Sequence, residues 1–293
     1  MKTKLYLALF CVAFFWGTTF LAIRVAVETI PPFILAGIRN LISGTLIFCY
    51  LLWQKRLEKI SPIQFFRAFI VSILMIVLAN GLTTYSEKYI SSGLTSLIST
   101  LTPFCVLILN LILGFEKLSI KTIGGILSGM SGIFIIYQSG LSDLLIPEYR
   151  QGIFALLMAI LAWSIGTIVM KRGSQKPLPV LMNASIQMLI AGVLLTTIQL
   201  IVTPSLSTET WNIRSIAAMI YLALFGSVIG YVAFSYLLTQ LAATKVVVLS
   251  YVNVVVALFL GWLILDEVIT SRTILATVLI ISGVILVNYK KTK

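Results

Sequence analysis

The side chains best able to do chemistry in this sequence are a few charged and polar groups that interrupt long apolar runs. Arg39 is the ionisable residue that lies deepest inside such a run. A guanidinium buried in a bilayer costs roughly 2.5–3.5 kcal/mol on insertion scales, so we expect a compensating interaction. Two interpretations stay open. The charge faces a cavity and meets a carboxylate-bearing ligand, or the side chain extends along its helix to the interface.

Two tryptophans, Trp16 and Trp163, lie near the middle of their runs, too deep to anchor at a membrane interface. Their rings either stack on a ligand or pack against a neighbouring helix. Further polar side chains within the runs bond other helices or line a cavity: Thr18, Thr19, Asn80, Tyr85, Ser96, Thr100, Asn110, Thr167, Gln187, Tyr231, Tyr236, Ser250 and Asn253. The predicted substrate site consists of Trp16, Thr19, Arg39, Asn80, Thr100, Trp163, Thr167 and Asn253.

Catalytic and metal chemistry find little support in the sequence. The chain has no histidine, and no HExxH, GxSxG or phosphate-binding glycine motif occurs. Cys11, Cys49 and Cys105 lie inside apolar runs and indicate packing residues. We therefore predict no enzyme activity, no metal and no cofactor. Because no carboxylate lies centrally in a run, we also predict uniport or exchange, driven by the substrate's own gradient, over proton coupling.

The elements that must position these residues are transmembrane helices. The chain is 59% hydrophobic and 10% charged, too apolar for a water-facing surface. Runs of about 20 continuously apolar residues predict spanning helices, not strands. The sequence thus predicts an all-α polytopic membrane protein with ten transmembrane helices, at 5–27, 33–53, 66–86, 92–114, 120–139, 152–170, 179–202, 215–238, 246–265 and 273–289.

The net charge of +12 indicates orientation in a bilayer. Lys and Arg fall in short clusters between the runs, as at Lys55-Arg56 and Lys171-Arg172, which is atypical of a nucleic-acid-binding face. Their concentration in loops on one side predicts that both termini are cytoplasmic. The partners we expect are a small-molecule substrate and the lipid bilayer of the plasma membrane, with no nucleic acid.

The two halves of the chain resemble each other in order. At nearly constant offsets, the matched pairs are Trp16 with Trp163, Arg24 with Lys171, Pro32 with Pro179, Tyr85 with Tyr236, and Glu116 with Glu267. We predict one five-helix repeat at 1–141, an outer linker at 142–151 and a second repeat at 152–293. An odd number of helices inverts the second repeat, and inverted repeats are typical of secondary transporters that bind substrate near the midplane.

Two motifs leave alternatives. Glu116 and Glu267 either stabilise the start of the next helix or take part in gating. The Gly125–Gly129 GxxxG motif packs either within the protomer or against a second copy, so the chain is a monomer or a homodimer.

Two stretches are similar to a known family. Trp16-Gly17-Thr18-Thr19-Phe20, Pro31-Pro32 and Gly37-Ile38-Arg39 resemble the opening of EamA-type members of the drug/metabolite transporter superfamily. Leu101-Thr102-Pro103, Gly124-Gly125 and Gly132-Ile133 resemble the close of its five-helix module. The resemblance implies export or exchange of small metabolites, such as amino acids or drug-like compounds, across the inner membrane. A channel or a structural membrane protein is the alternative.

Overall fold

The computed structural model describes residues 2–115, 119–137, 147–172, 177–203, 208, 210–265 and 271–288. No strand occurs among these residues. The helices are α1 (Lys2–Ala26), α2 (Pro32–Trp53), α3 (Pro62–Ser86), α4 (Ser92–Ile112), α5 (Ile120–Tyr137), α6 (Pro147–Arg172), α7 (Val180–Val202), α8 (Ile213–Gln240), α9 (Ala243–Val247 and Leu249–Leu265) and α10 (Ser271–Asn288).

Helix length and composition fit a multi-pass membrane protein. Within the described part of the chain, 7 helices are long and apolar enough to cross a bilayer, namely α1 to α4 and α6 to α8. Shorter apolar segments occur in α9, at Ala243–Ala257, and in α10, at Ile274–Gly283. The predicted all-helical membrane fold is therefore confirmed at this level.

Several helices begin where the sequence supplies a start signal. Pro32, Pro62 and Pro147 occupy first-turn positions, where the missing N–H has no intrahelical partner to lose. Ser61 and Gln64 form a reciprocal capping box at the start of α3. Pro147, followed by Glu148 in the first turn, starts α6 inside the segment predicted as a linker, because apolar runs alone do not reveal polar first turns.

Two helices are widened in their middle. Ser72–Asn80 in α3 and Leu222–Tyr231 in α8 are π-helical, so each N–H bonds the carbonyl five residues back. A short 3₁₀ turn, Ser99–Leu101, interrupts α4 just before Pro103, which has no N–H for a helical bond. Such irregularities within spanning helices require neighbouring helices that satisfy the backbone.

Glycines bring two helix pairs into close contact. α2 packs along α7, where the Ser185 hydroxyl donates to the Gly44 carbonyl oxygen at 2.8 Å. α5 packs along α10, where a Cβ atom on Gly283 would lie 2.9 Å from the Gly129 nitrogen. Gly125 also approaches Gly283, so the GxxxG motif packs within this chain, the first of its two interpretations.

The two ends of the bundle differ. We call the end at which α1 and α3 begin the proximal end, and the end at which they finish the distal end. At the distal end lies a buried apolar cluster, formed by Ile23, Ala26, Val27, Ile30, Ile34, Leu35, Met219 and Leu222. Close packing of this kind leaves no path for water through the cluster.

Candidate functional site

A cavity of about 160 Å³ lies at the centre of the bundle. Its described lining residues come from both halves of the chain, on α1 to α4 and α6 to α9, while none comes from α5 or α10. Of the residues predicted for a substrate site, the cavity brings together Trp16, Thr19, Arg39, Asn80, Trp163 and Asn253. Thr100 and Thr167 are buried but do not line it.

An aromatic cluster forms one wall of the cavity. The rings of Trp16 and Trp163 meet edge to face, with centroids 5.3 Å apart and planes at 77°. Phe234 lies 5.0 Å from Trp16 and 5.1 Å from Trp163, and Tyr231 completes the group. Edge-to-face contact holds both indoles in fixed orientations. The two interpretations of the tryptophans therefore combine, since the rings pack on each other and also border the cavity.

The orientation of Trp16 is fixed by α8. Its indole Nε1 donates to the Gly226 carbonyl oxygen at 3.0 Å. A Cβ atom on Gly230 would lie 2.7 Å from the Trp16 Cδ1 atom and closer still to Nε1, so a side chain there would displace the indole. The Thr19 hydroxyl donates to the Trp16 carbonyl oxygen at 2.7 Å, which leaves its oxygen lone pairs as acceptors towards the cavity.

Arg39 provides the charge at the cavity wall. Its side chain is 3% exposed, and its Nη2 donates to the Asn80 Oδ1 atom. The Nε atom has no hydrogen-bond partner among the described residues. The guanidinium therefore does not extend to the interface. A buried cation with an unused donor at a cavity suits an anionic group of a ligand.

A second cavity, of about 290 Å³, lies at the proximal end between α3, α6, α7 and α8. Gln187 lines this cavity, and Tyr231 lines the central one. The Tyr231 hydroxyl donates to the Gln187 Oε1 atom at 2.6 Å, and the Gln187 Nε2 atom donates to Asn183 at 3.0 Å. The two residues of this hydrogen-bonded pair thus line different cavities.

The remaining polar residues divide into structural and unassigned ones. The Asn253 amide, oriented with its nitrogen towards α1, donates to the Ala13 carbonyl oxygen at 2.9 Å and so links α9 to α1. Glu116 and Glu267 lie outside the described residues. Glu87, which follows directly after α3, is fully buried but is not among the residues predicted for a site. Its position at the end of an apolar run is typical of an interfacial residue, so the sequence carried no signal for its burial.

Comparison with known proteins agrees with this architecture. The model of the EamA-like transporter family matches residues 3–138 and 150–289. The "Uncharacterized inner membrane transporter YedA" of Escherichia coli (strain K12) is 31% identical over 290 residues, which cover 98% of this chain and 91% of the relative. The "Uncharacterized transporter YoaV" of Bacillus subtilis (strain 168) is 28% identical over 281 residues, 96% of this chain and 95% of that one.

A solved crystal structure shares the fold. It superposes with a TM-score of 0.79 at 18% identity, covering 98% of both chains. With the family matched along nearly the whole chain, and with membrane-spanning helices around a central cavity, this protein belongs to the EamA-like transporter family.

Proposed function

We propose that the protein is a secondary carrier that moves small metabolites, such as amino acids or drug-like compounds, across the bacterial inner membrane by alternating access. Transport is export or exchange. Ten helices cross the membrane in two inverted five-helix repeats, with both termini in the cytoplasm. The substrate contacts the Trp16–Trp163 pair and Arg39.

The observation that carries this proposal is a central cavity lined from both halves of the chain, whose Tyr231 is hydrogen-bonded to Gln187 of the proximal cavity. A carrier needs a central site that opens to one side at a time. The packed apolar cluster at the distal end also favours a carrier, since a channel needs a continuous polar path.

The lining of the cavity favours a ligand with an apolar or aromatic part and an anionic group. The indole rings offer apolar faces, and Arg39 offers a cationic donor. A zwitterionic metabolite such as an amino acid combines these features. The general acids and bases of an intramembrane enzyme are missing from the described lining, where Arg39 and Tyr231 are the titratable groups.

The test begins with the purified protein, whose thermal stability is measured against a library of amino acids and other small metabolites. Ligand binding to the native state raises the midpoint of unfolding. Compounds that do so are then tested in proteoliposomes for saturable uptake and counterflow. Counterflow identifies a carrier, whereas flux that stays linear with concentration and shows no counterflow identifies a channel and contradicts the proposal.

Separate Trp16→Ala and Trp163→Ala variants test the site. If the indoles contact the substrate, each variant raises the apparent substrate constant at similar expression. Trp53→Ala is the matched control, because Trp53 is 77% exposed and lies outside the cavity lining. Unchanged transport constants in both cavity variants would place the substrate elsewhere.

A further inference from the structure

Glu87 is a buried carboxyl group for which the proposed substrate site gives no role. It follows directly after α3 at the distal end, with 0% of its surface exposed. Neither of its carboxyl oxygens has a hydrogen-bond partner among the described residues. Buried carboxylates are normally paired or accept several hydrogen bonds, because desolvation strongly disfavours the charged form.

Two guanidinium groups lie near enough to attract this carboxyl group, Arg39 from α2 and Arg24 from α1. Both are engaged elsewhere. Arg24 donates to the backbone carbonyl oxygen of Glu87, at 2.5 Å, and Arg39 donates to Asn80. From α6, the residue against this stretch is Gly152, which is uncharged. Among the side chains that the structure describes, the other charged ones of this end are exposed, namely Glu28, Lys88, Glu148, Arg150 and Arg214.

Glu87 is also connected to the central cavity. Asn80, Thr83 and Glu87 follow one another at helical spacing along α3 and therefore share a face. Asn80, Thr83 and Arg39 line the cavity, and the charge of Arg39 acts on Glu87. Glu87 does not line the cavity itself but lies one turn beyond Thr83, the last lining residue of α3.

Burial favours the neutral form of this carboxyl group. Desolvation raises the pKa of Glu87 well above its usual range, while the charges of Arg39 and Arg24 act in the opposite direction. With no hydrogen bond to stabilise the anion, desolvation dominates. In the arrangement of this structure, burial without a hydrogen bond therefore favours the protonated form of Glu87.

We propose that Glu87 is a proton-binding site of the transport cycle, protonated while the distal end is closed and deprotonated when that end opens to water. The proton passes to solvent water as the carboxylate becomes hydrated, and it returns from solvent water before closure. This inference rests on the proposed carrier function. It adds proton movement to a cycle for which the sequence favoured uniport or exchange without protons.

The direction of the pH effect follows from linkage. Because the closed form binds the proton more tightly than the open form, low pH favours closure. As pH rises through the range between the two pKa values, the open population grows by up to about tenfold per pH unit. Glu87→Gln, which stays neutral, removes this dependence and favours the closed form at every pH.

The first experiment measures opening of the distal end directly. Ser86→Cys places a thiol beside Glu87, and the two side chains differ little in volume. Ser86 is fully buried, so labelling at this position requires the distal end to open. In a background with Cys11, Cys49 and Cys105 replaced by alanine, its reaction with a membrane-impermeant maleimide is followed from about pH 5 to about pH 9. The readout is the labelling rate with Glu87 divided by the rate with Glu87→Gln, which cancels the pH dependence of the thiol.

We expect this ratio to rise with pH. Glu28→Gln, which changes an exposed carboxyl group, should leave the labelling rate the same as in the parent protein at every pH. A ratio that stays constant over the range overturns the proposal. If the Gln variant does not fold, Glu87→Ala, which also lacks a titratable carboxyl group, serves as the denominator, and a constant ratio again overturns the proposal.

A second experiment needs no variant and no substrate. Dicyclohexylcarbodiimide reacts with protonated carboxyl groups in apolar surroundings, and the modified peptide is identified by mass spectrometry. We expect modification of Glu87 near pH 6 and its loss near pH 9, with Glu28 unmodified throughout. Absence of modification at both pH values overturns the proposal.

The two proposals fail in different ways. If no compound gives counterflow while Glu87 is still modified in a pH-dependent manner, the carrier function is wrong, and Glu87 binds a proton outside any transport cycle. If counterflow is present and keeps the same pH profile in Glu87→Gln, the proton site is wrong and the carrier function stands.

Discussion

The guanidinium of Arg39 borders the central cavity with its Nε donor unused by the described residues. If it binds a ligand carboxylate, Arg39→Gln removes a charged hydrogen bond worth about 1.5–3 kcal/mol. We expect the apparent affinity for a carboxylate-bearing substrate to fall at least tenfold, as measured by counterflow. Arg39→Lys should recover only part of it, because Lys cannot present two parallel donors.

The control for Arg39 is Arg150→Gln, which removes an exposed arginine at the distal end. Expression and the midpoint of thermal unfolding separate a folding defect from a binding defect. Full transport by Arg39→Gln at normal expression would contradict a role in binding.

The hydroxyl group of Tyr231 gives a second prediction for a single residue. Tyr231→Phe keeps the ring contact with Trp163 but removes the hydroxyl that donates to Gln187. We expect faster passage between the two cavities, because the ring is then no longer held against Gln187. The measurement is the rate at which a thiol reagent added at the proximal side labels Ser227→Cys in the central cavity.

Tyr236→Phe is the matched control, since Tyr236 lines neither cavity. Equal labelling rates in the parent protein and in Tyr231→Phe would show that the pair does not limit access.

Single residues could be predicted from sequence when their type is rare in an apolar run. Arg39, Trp16 and Trp163 were identified in this way, and the structure brings them to one cavity. Thr100 and Thr167 follow the same rule but do not line the cavity, because residue type alone does not specify which face of a helix meets the cavity.

The partners of Tyr231 and the burial of Glu87 could not be predicted. Both depend on which helices pack together, which residue type and spacing do not specify.

Among the helices, the contact of α5 with α10 depends on the absence of a side chain at Gly283. A Cβ atom there would lie 2.9 Å from the backbone nitrogen of Gly129, and backbone cannot move aside. We expect Gly283→Ala to destabilise the fold by about 1–3 kcal/mol, as overpacking does. Thermal unfolding of the purified protein measures the effect.

The control variant changes Gly124 on α5, the helix that packs against α10. A Cβ atom on Gly124 would meet only the end of the Leu286 side chain, at 3.2 Å, which can shift. Gly124→Ala should therefore be close to neutral. Equal losses of stability in the two variants would show that the helix pair is not limited by this contact.

Helix ends were largely predictable, since proline and the Ser61 capping box mark them locally. The π-helical segments of α3 and α8 were not, because the same apolar residues form an ordinary α-helix unless neighbouring helices hold the wider turn.

For the whole molecule, the proposed orientation has a direct test. With both termini in the cytoplasm, Gln54 after α2 faces the cytoplasm and Lys88 after α3 faces outside. We expect Lys88→Cys to react with an impermeant thiol reagent in intact cells, and Gln54→Cys only after permeabilisation. Both variants are made without the native cysteines. Reaction of Gln54→Cys in intact cells would reverse the orientation.

The widened segments of α3 and α8 change how insertions and deletions act on this protein. Loss of one residue within Ser72–Asn80 can be absorbed if this segment returns to a regular α-helix, because the 9 π-helical residues turn about as far as one residue fewer in an α-helix. Asn80 and Thr83 would then keep facing the cavity. A relative that lacks one residue in this segment can therefore keep the polar face of α3. A gap outside the widened segments would instead turn all the residues that follow in the helix by about 100°.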